Sequence, residues 1–282
     1  MCLVQENLSK QLLSFMREAP EPNIIKMSSS NSKYFFFLSF FSFLIFLTEA
    51  DPIYSSHACT DSISYKPNTT FETNLNLLLS SLSSKARDGS HFYRTRTGDA
   101  TPDIVNGLFL CRGDIVVATC SDCVSAAAGE IKRRCPVQKE AIIWYDVCML
   151  RYSNQSFNRI VPSTDLSSTE DIAPEDKERF NQLLAGMLNS VAAKVLKSQT
   201  KFATEQVNFT RTETLYGLEQ CTPDLTVFDC NTCLRSAIAA IPNCCDGKRG
   251  ATVLLPACNI RYEFYPFFNS RHSRPSEYFG NR

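Results

Sequence analysis

Cys111, Cys120 and Cys123 are spaced Cys-x8-Cys-x2-Cys, and Cys221, Cys230 and Cys233 repeat that spacing 110 positions later. Thiols so placed can do three kinds of chemistry. Cys120, Cys123, Cys230 and Cys233 could hold zinc as a four-thiolate site. A C-x-x-C pair could cycle between dithiol and disulfide. Or the cysteines could be structural bridges. Each C-x2-C comes with its own local cysteine partners, and no thioredoxin-like βαβ pattern surrounds either. With the export signal described below, the set reads as disulfides, and neither a metal nor a cofactor is expected.

The first set is Cys59, Cys111, Cys120, Cys123, Cys135 and Cys148. An even set in an exported chain implies three bridges, with the connectivity open. The second set has no counterpart of Cys59 and gains an adjacent pair, Cys244-Cys245. Neighbouring cysteines bridge only with strain, so these two are read as a vicinal pair or free thiols.

Other reactive side chains form no constellation. His57, His91 and His272 stand apart, without metal spacing or a triad partner. No catalytic residue is assigned and no enzyme is expected. Arg112-Gly113-Asp114 matches an adhesion tripeptide, but a turn between two cysteines is a sufficient explanation. Trp144 and Tyr145 lie in an apolar strand candidate and are read as core. The chain carries 29 basic and 29 acidic residues, which gives no basic footprint for nucleic acid.

The elements that must position the cysteines repeat too. Phe71, Leu75, Leu78, Leu79 and Leu82 match Phe180, Leu184, Met187, Leu188 and Val191, one apolar helix face in each copy. Gly107-Leu108 matches Gly217-Leu218, Cys135 matches Cys245, Cys148 matches Cys258, and Arg151-Tyr152 matches Arg261-Tyr262. Helix pattern and cysteine order recur together, so the chain holds a duplicated unit of about 100 residues. Each unit reads as a first helix (71–87 and 175–198) and, in the first copy, a strand at Phe92 to Thr97. A strand then ends at the first spaced cysteine, and a second helix runs from the middle one. Two apolar strands, in Ala141 to Tyr152 and Ala251 to Tyr265, close the unit. Ser121 and Asp229 are the expected caps of the second helices. Two helices with several antiparallel strands make an α+β unit.

Tyr34 to Leu47 is an apolar run preceded by Lys26 and Lys33 and followed by Thr48-Glu49-Ala50. This is the layout of a secretory signal, and it is shorter than the roughly 20 residues of a spanning helix. The expected organisation is an extension upstream of Met27 (1–26), a signal peptide (27–50), a first module (51–160), a linker (161–174), a second module (175–268) and a polar tail (269–282). Asn68, Asn154 and Asn208 head glycosylation sequons. The mature product is expected to start near Asp51, in the extracellular space, with no membrane anchor after signal removal.

The spacing C-x8-C-x2-C, followed by cysteines after 11 and 12 residues, resembles the plant DUF26 family, also called the Gnk2-homologous or stress-antifungal domain. "YGLEQCTPDL", "CCDGK" and "CNIRYEFYPFF" resemble the second ectodomain repeat of cysteine-rich receptor-like kinases, and equally cysteine-rich repeat secretory proteins. The resemblance covers about residues 51–268. It implies two helices on a five-stranded antiparallel sheet in each module. It also implies the bridges Cys59–Cys135, Cys111–Cys120, Cys123–Cys148, Cys221–Cys230 and Cys233–Cys258. The expected product is a secreted apoplastic binding protein of stress or defence, or a receptor ectodomain cut short. Its partner would be a cell-wall or receptor protein, or a glycan. Mannose-binding members hold the sugar with an Asn, an Arg and a Glu. The first copy has Thr60, Ile142 and Ser153 at those places, and the second has Thr252 and Glu263. Glu263 alone is a candidate glycan contact, which moves weight from a mannose-binding antifungal lectin to protein interaction.

Overall fold

The computed structural model describes residues 51–60, 64–157 and 164–269. The readings of residues 1–50, the start of the linker, His272 and nearly all of the polar tail lie outside them. The first module contains β1 (Tyr54–Cys59), α1 (Thr70–Arg87), β2 (Phe92–Thr97), β3 (Val105–Cys111), α2 (Val117–Arg134), β4 (Glu140–Tyr145) and β5 (Cys148–Ser153). The second contains β6 (Thr164–Ser167), α3 (Lys177–Lys197), β7 (Phe202–Asn208), β8 (Thr214–Cys221), α4 (Val227–Cys244), β9 (Ala251–Leu254) and β10 (Cys258–Glu263). The sheets run β1-β4-β5-β3-β2 and β6-β9-β10-β8-β7, antiparallel throughout. The architecture is therefore α+β: two tandem modules, each two helices on a five-stranded antiparallel sheet.

The helix faces are those the periodicity marks. α1 buries Phe71, Leu75, Leu78, Leu79 and Leu82, and α3 buries Phe180, Leu184, Met187, Leu188 and Val191. They pack on the inward residues of the strands, among them Val105, Phe109, Ile143 and Leu150 in the first module and Leu215, Val253 and Ile260 in the second. Burying each large apolar side chain contributes about 1.5–3 kcal/mol. Gly107 and Gly217 let the first helix of each module approach its sheet, because a Cβ there would collide with Leu78 or Met187.

Two local readings differ from the structure. The second helices start a turn earlier than expected, at Val117 and Val227, so Ser121 and Asp229 are not caps. Thr226 caps α4: its hydroxyl accepts from the Asp229 amide at 3.1 Å and donates to the Asp229 carboxylate at 2.7 Å. The stretch read as linker also supplies β6, the outer strand of the second sheet. Its Ser/Thr/Asp composition suits an exposed edge, where charge and short length discourage further pairing.

The repeated spacing staples a helix to two strand ends. Cys120 and Cys123 lie three residues apart on one face of α2. Cys111 ends β3, Cys148 begins β5, and the two are cross-strand partners. Cys111–Cys120 and Cys123–Cys148 thus tie one helical turn to adjacent strands. Cys221–Cys230 and Cys233–Cys258 do the same under the Cys221–Cys258 strand pair. Cys59–Cys135 fastens β1 to the end of α2. In the second module Cys244 and Cys245 bond each other.

Candidate functional site

Each sheet has one face under its helices and one facing away. On the first module part of the outer face is apolar, beside the Arg151–Glu140 ion pair. Leu108, Leu110, Ile142, Trp144 and Met149 form a buried layer that Leu254 of the second module completes. Trp144 is 2% exposed, so it is core, in the layer between the modules rather than beneath the helices. β4 is buried on both faces as a result. Around this layer, Gln220 Nε2 donates to the Cys111 carbonyl at 3.0 Å, and Arg94 pairs with Asp224 at 2.7 Å.

Arg112-Gly113-Asp114 belongs to the same junction. Arg112 Nε donates to Asp114 at 2.6 Å, and its Nη2 donates to the Phe267 carbonyl at 3.0 Å. Asp114, 2% exposed, also accepts from the Asn269 amide at 2.7 Å. A Cβ on Gly113 would strike the Phe202 ring. The tripeptide is a joint between modules, with Asp114 buried and Arg112 engaged, while Gly113 is exposed.

Where the apolar layer ends, the two outer faces part to leave a cleft of about 510 Å³. The first module contributes Arg112, Tyr145 and Asp146, the last two from the β4–β5 hairpin. The second contributes Thr252, Asn259, Arg261 and Glu263 from β9 and β10. Arg261 donates to Glu263 at 3.2 Å and to the Tyr265 hydroxyl at 2.9 Å, and stacks over Phe267. Burial raises the Asp146 carboxyl above its ordinary range, against the pull of Arg112 and Arg261. Concave, part apolar and provided with convergent polar groups, the cleft has the size and make-up of a binding site.

Glu263 lines this cleft. Its carboxylate lies against Gly250, where a Cβ would collide with it. The structure also identifies what stands at the missing cysteine position. Ser167 faces Ala251 as Cys59 faces Ala141, and the Ser168 amide donates to Gly250 as the Thr60 amide does to Glu140. Ser168, Thr252 and Glu263 are therefore the second-module counterparts of Thr60, Ile142 and Ser153, and all three line the cleft. In the first module Ile142 and Ser153 are each 1% exposed, so that trio offers no open site.

The remaining sequence candidates do not converge. His57 bonds the Tyr54 hydroxyl, and His91 Nε2 bonds the Ile115 carbonyl at 2.9 Å. Burial, then Arg134, lowers the His57 pKa. Asn68 and Asn208 are exposed and Asn154 is half-buried. One perturbed group was missed: Glu219, fully buried beneath the second module's helices, has no described hydrogen-bond partner. Desolvation pushes its carboxyl up to about 9. It lies on the opposite face of the sheet from the cleft and replaces the core Phe109 of the first copy. The copy alignment could have found it, as a carboxylate where the other copy has an aromatic ring.

A family model described as salt stress response/antifungal matches residues 58–155 and again 167–265. The chain is 46% identical over 237 residues to cysteine-rich receptor-like protein kinase 25 of Arabidopsis thaliana, covering 82% of this chain and 35% of the kinase. It is 41% identical over 224 residues to an antimicrobial ginkbilobin-2-like protein of Castanea crenata, covering 78% of this chain and 90% of the relative. Among solved structures, the tandem DUF26 ectodomain of the Arabidopsis thaliana cysteine-rich receptor-like protein PDLP8 superposes with a TM-score of 0.63 at 26% identity, covering 76% of this chain and 99% of that one. The chain thus spans about a third of the length of the receptor kinase it matches. Among the described residues no helix is long and apolar enough to cross a membrane.

Proposed function

Since the chain belongs to the salt stress response/antifungal family, with two copies of its domain, we propose that it is a non-enzymatic binding module of the plant apoplast. It acts in stress or defence by holding a partner protein in the cleft between its modules. The observation that carries this reading is the cleft itself, walled by both modules and lined by polar side chains around Asp146, Asn259 and Arg261. No described cluster supplies a nucleophile with a base, so binding is the chemistry these residues support. A receptor ectodomain would use the same cleft, and the related receptor kinases make that the context of a longer form.

A glycan is the second reading, favoured by one observation: Ser168, Thr252 and Glu263 line the cleft at the places where mannose-binding members hold sugar. The test compares the mature chain with an Asn259→Trp variant that fills the cleft. Both are offered cell-wall extract and a glycan array. Saturable retention of a protein by the wild type only, with a silent array, is expected. Array binding lost on Asn259→Trp would turn the reading to a lectin. Retention indifferent to the variant would remove the cleft as the site.

A further inference from the structure

The cleft is lined by two cations, Arg112 and Arg261, and two carboxylates, Asp146 and Glu263, but Arg112 is bonded to a third carboxylate, Asp114, that lies outside the lining. Arg112 is held by both oxygens of Asp114, at 2.6 and 3.1 Å, and Arg261 by Glu263 at 3.1 Å. Each cation has its own carboxylate. Asp146 is the carboxylate left over among the lining residues. Arg112 Nη1 donates to its main-chain carbonyl, at 3.4 Å, rather than to its side chain. The carboxylate receives its hydrogen bonds from the backbone, at Ile53 and at Asp146 itself. No described side chain donates to it.

The rim has a different character. Ile53, Leu166 and Tyr265, three of the large apolar side chains left exposed on the described surface, all line the cleft. Ser55 of β1 and Leu166 of β6 stand beside it, and β1 and β6 are the outermost strands of their sheets. The outer row of main-chain groups on each is therefore unused within the sheet. On the floor, Thr252 and Asn259 have side chains without a described hydrogen-bond partner.

These features discriminate between ligands. A sugar ring needs an exposed aromatic face and paired hydroxyls. Trp144 is closed off, the exposed ring of the lining, Tyr265, is tied to Arg261 through its hydroxyl, and the lips at Ile53 and Leu166 are aliphatic. An extended peptide matches every element: main-chain groups for a strand edge, apolar side chains for the lips and a cation for the surplus carboxylate.

We propose that the cleft takes an extended segment of a protein partner that carries one Lys or Arg, whose cation meets Asp146 while flanking aliphatic side chains lie on Ile53 and Leu166. This rests on the cleft being the binding site. The test is a position-scanning hexapeptide library offered to the mature chain and to Asp146→Asn and Leu166→Ser variants. Thermal unfolding confirms that each is folded. The wild type is expected to select Lys or Arg at one position with aliphatic neighbours. The selected peptide should bind Asp146→Asn roughly tenfold more weakly, the loss of one charged hydrogen bond. Leu166→Ser, at an exposed position, should lose the aliphatic preference and keep the basic one; it carries the comparison if Asp146→Asn does not fold. Selection of no peptide, or basic selection that survives Asp146→Asn, overturns the proposal. If an immobilised mannoside binds instead, and Asn259→Trp abolishes it, the cleft stands as a site and the peptide falls. If neither probe binds, both readings fall.

Discussion

Glu140 and Glu263 do the same work from opposite strands. Glu140 on β4 holds Arg151 at 2.8 Å, and Glu263 on β10 holds Arg261 at 3.1 Å. Arg151 and Arg261 are equivalent in the two copies. Yet the equivalent of Glu140 is Gly250, and the equivalent of Glu263 is Ser153, the cross-strand partner of Glu140. The carboxylate has crossed to the neighbouring strand, and Gly250 leaves the room it needs. The consequence is a change of surroundings. The first pair is sealed, its side chains 3% and 7% exposed, with Arg151 over the Phe157 ring. The second borders the cleft at 19% and 16%.

That difference gives the first prediction. Glu140→Ala strands a buried guanidinium and should cost about 3–5 kcal/mol. Glu263→Ala leaves Arg261 near water and Tyr265, and should cost about 1 kcal/mol or less. Denaturant unfolding measures both. Equal losses would mean that the two pairs are not differently buried.

Glu219 predicts a pH dependence. Its folded pKa, about 9, stands above the ordinary 4.5. The folded state keeps a proton that the unfolded state releases. The resulting stability is complete at acid pH, below the unfolded value, and is lost as pH rises from about 4.5 through about 9. The loss approaches about 1.4 kcal/mol per pH unit inside that window. Glu219→Gln cannot ionise, so it should melt near the wild type at about pH 4 and well above it at about pH 8.5. A constant offset between the two proteins across that range would refute the assignment.

These two cases also show what a single sequence makes legible. The helix faces were readable because Phe71 and Phe180 recur at one spacing, and the recurring cysteines were readable as bridges, but which cysteine pairs with which came only from the family resemblance. β1 and β6 were not readable from residue pattern: they are short, half-buried or exposed edge strands with no alternation, and only the family resemblance implied five strands. The junction left one trace, the unbroken apolar run Ala141-Ile142-Ile143-Trp144. Such a run marks a strand covered on both faces, here by helices on one side and the second module on the other. The cleft left none. Arg112, Asp146 and Arg261 are far apart in the chain and meet only through the packing of two sheets.

A third prediction concerns the missing staple. Ser167 stands in register where Cys59 stands, and Cys245 caps α4 as Cys135 caps α2. The double variant Ser167→Cys, Cys244→Ala should therefore bond position 167 to Cys245 and stabilise the second module by about 2–4 kcal/mol. Peptide mapping without reductant reads the bond. A free thiol at position 167 would mean that β6 and the end of α4 lie further apart than their counterparts.

The chain's export is a fourth. The signal layout and three sequons predict a mature start near Asp51 and glycans at Asn68, Asn154 and Asn208. Mass mapping of protein from plant culture medium checks both. Residues 27–50 retained on that protein, or a cytosolic location, would count against the apoplastic reading.

The last prediction is that the chain binds mannose at least roughly tenfold more weakly than a family member with the full Asn, Arg and Glu set. Losing one hydrogen bond to a charged group costs about 1.5–3 kcal/mol, and about 1.4 kcal/mol is a factor of ten in affinity. The first module lacks all three residues, and Ile142 lies in the dry layer between modules. The second keeps only Glu263, with Ser168 and Thr252 at the other two places. Glu263 is also engaged, since Arg261 donates to it at 3.2 Å, and a sugar hydroxyl would have to compete for that carboxylate. Calorimetric titration of mannose into the mature chain decides the matter. Affinity equal to that of an intact member, and lost on Glu263→Ala, would show that Ser168 and Thr252 have rebuilt the contacts. The protein-interaction reading would then give way to the lectin one.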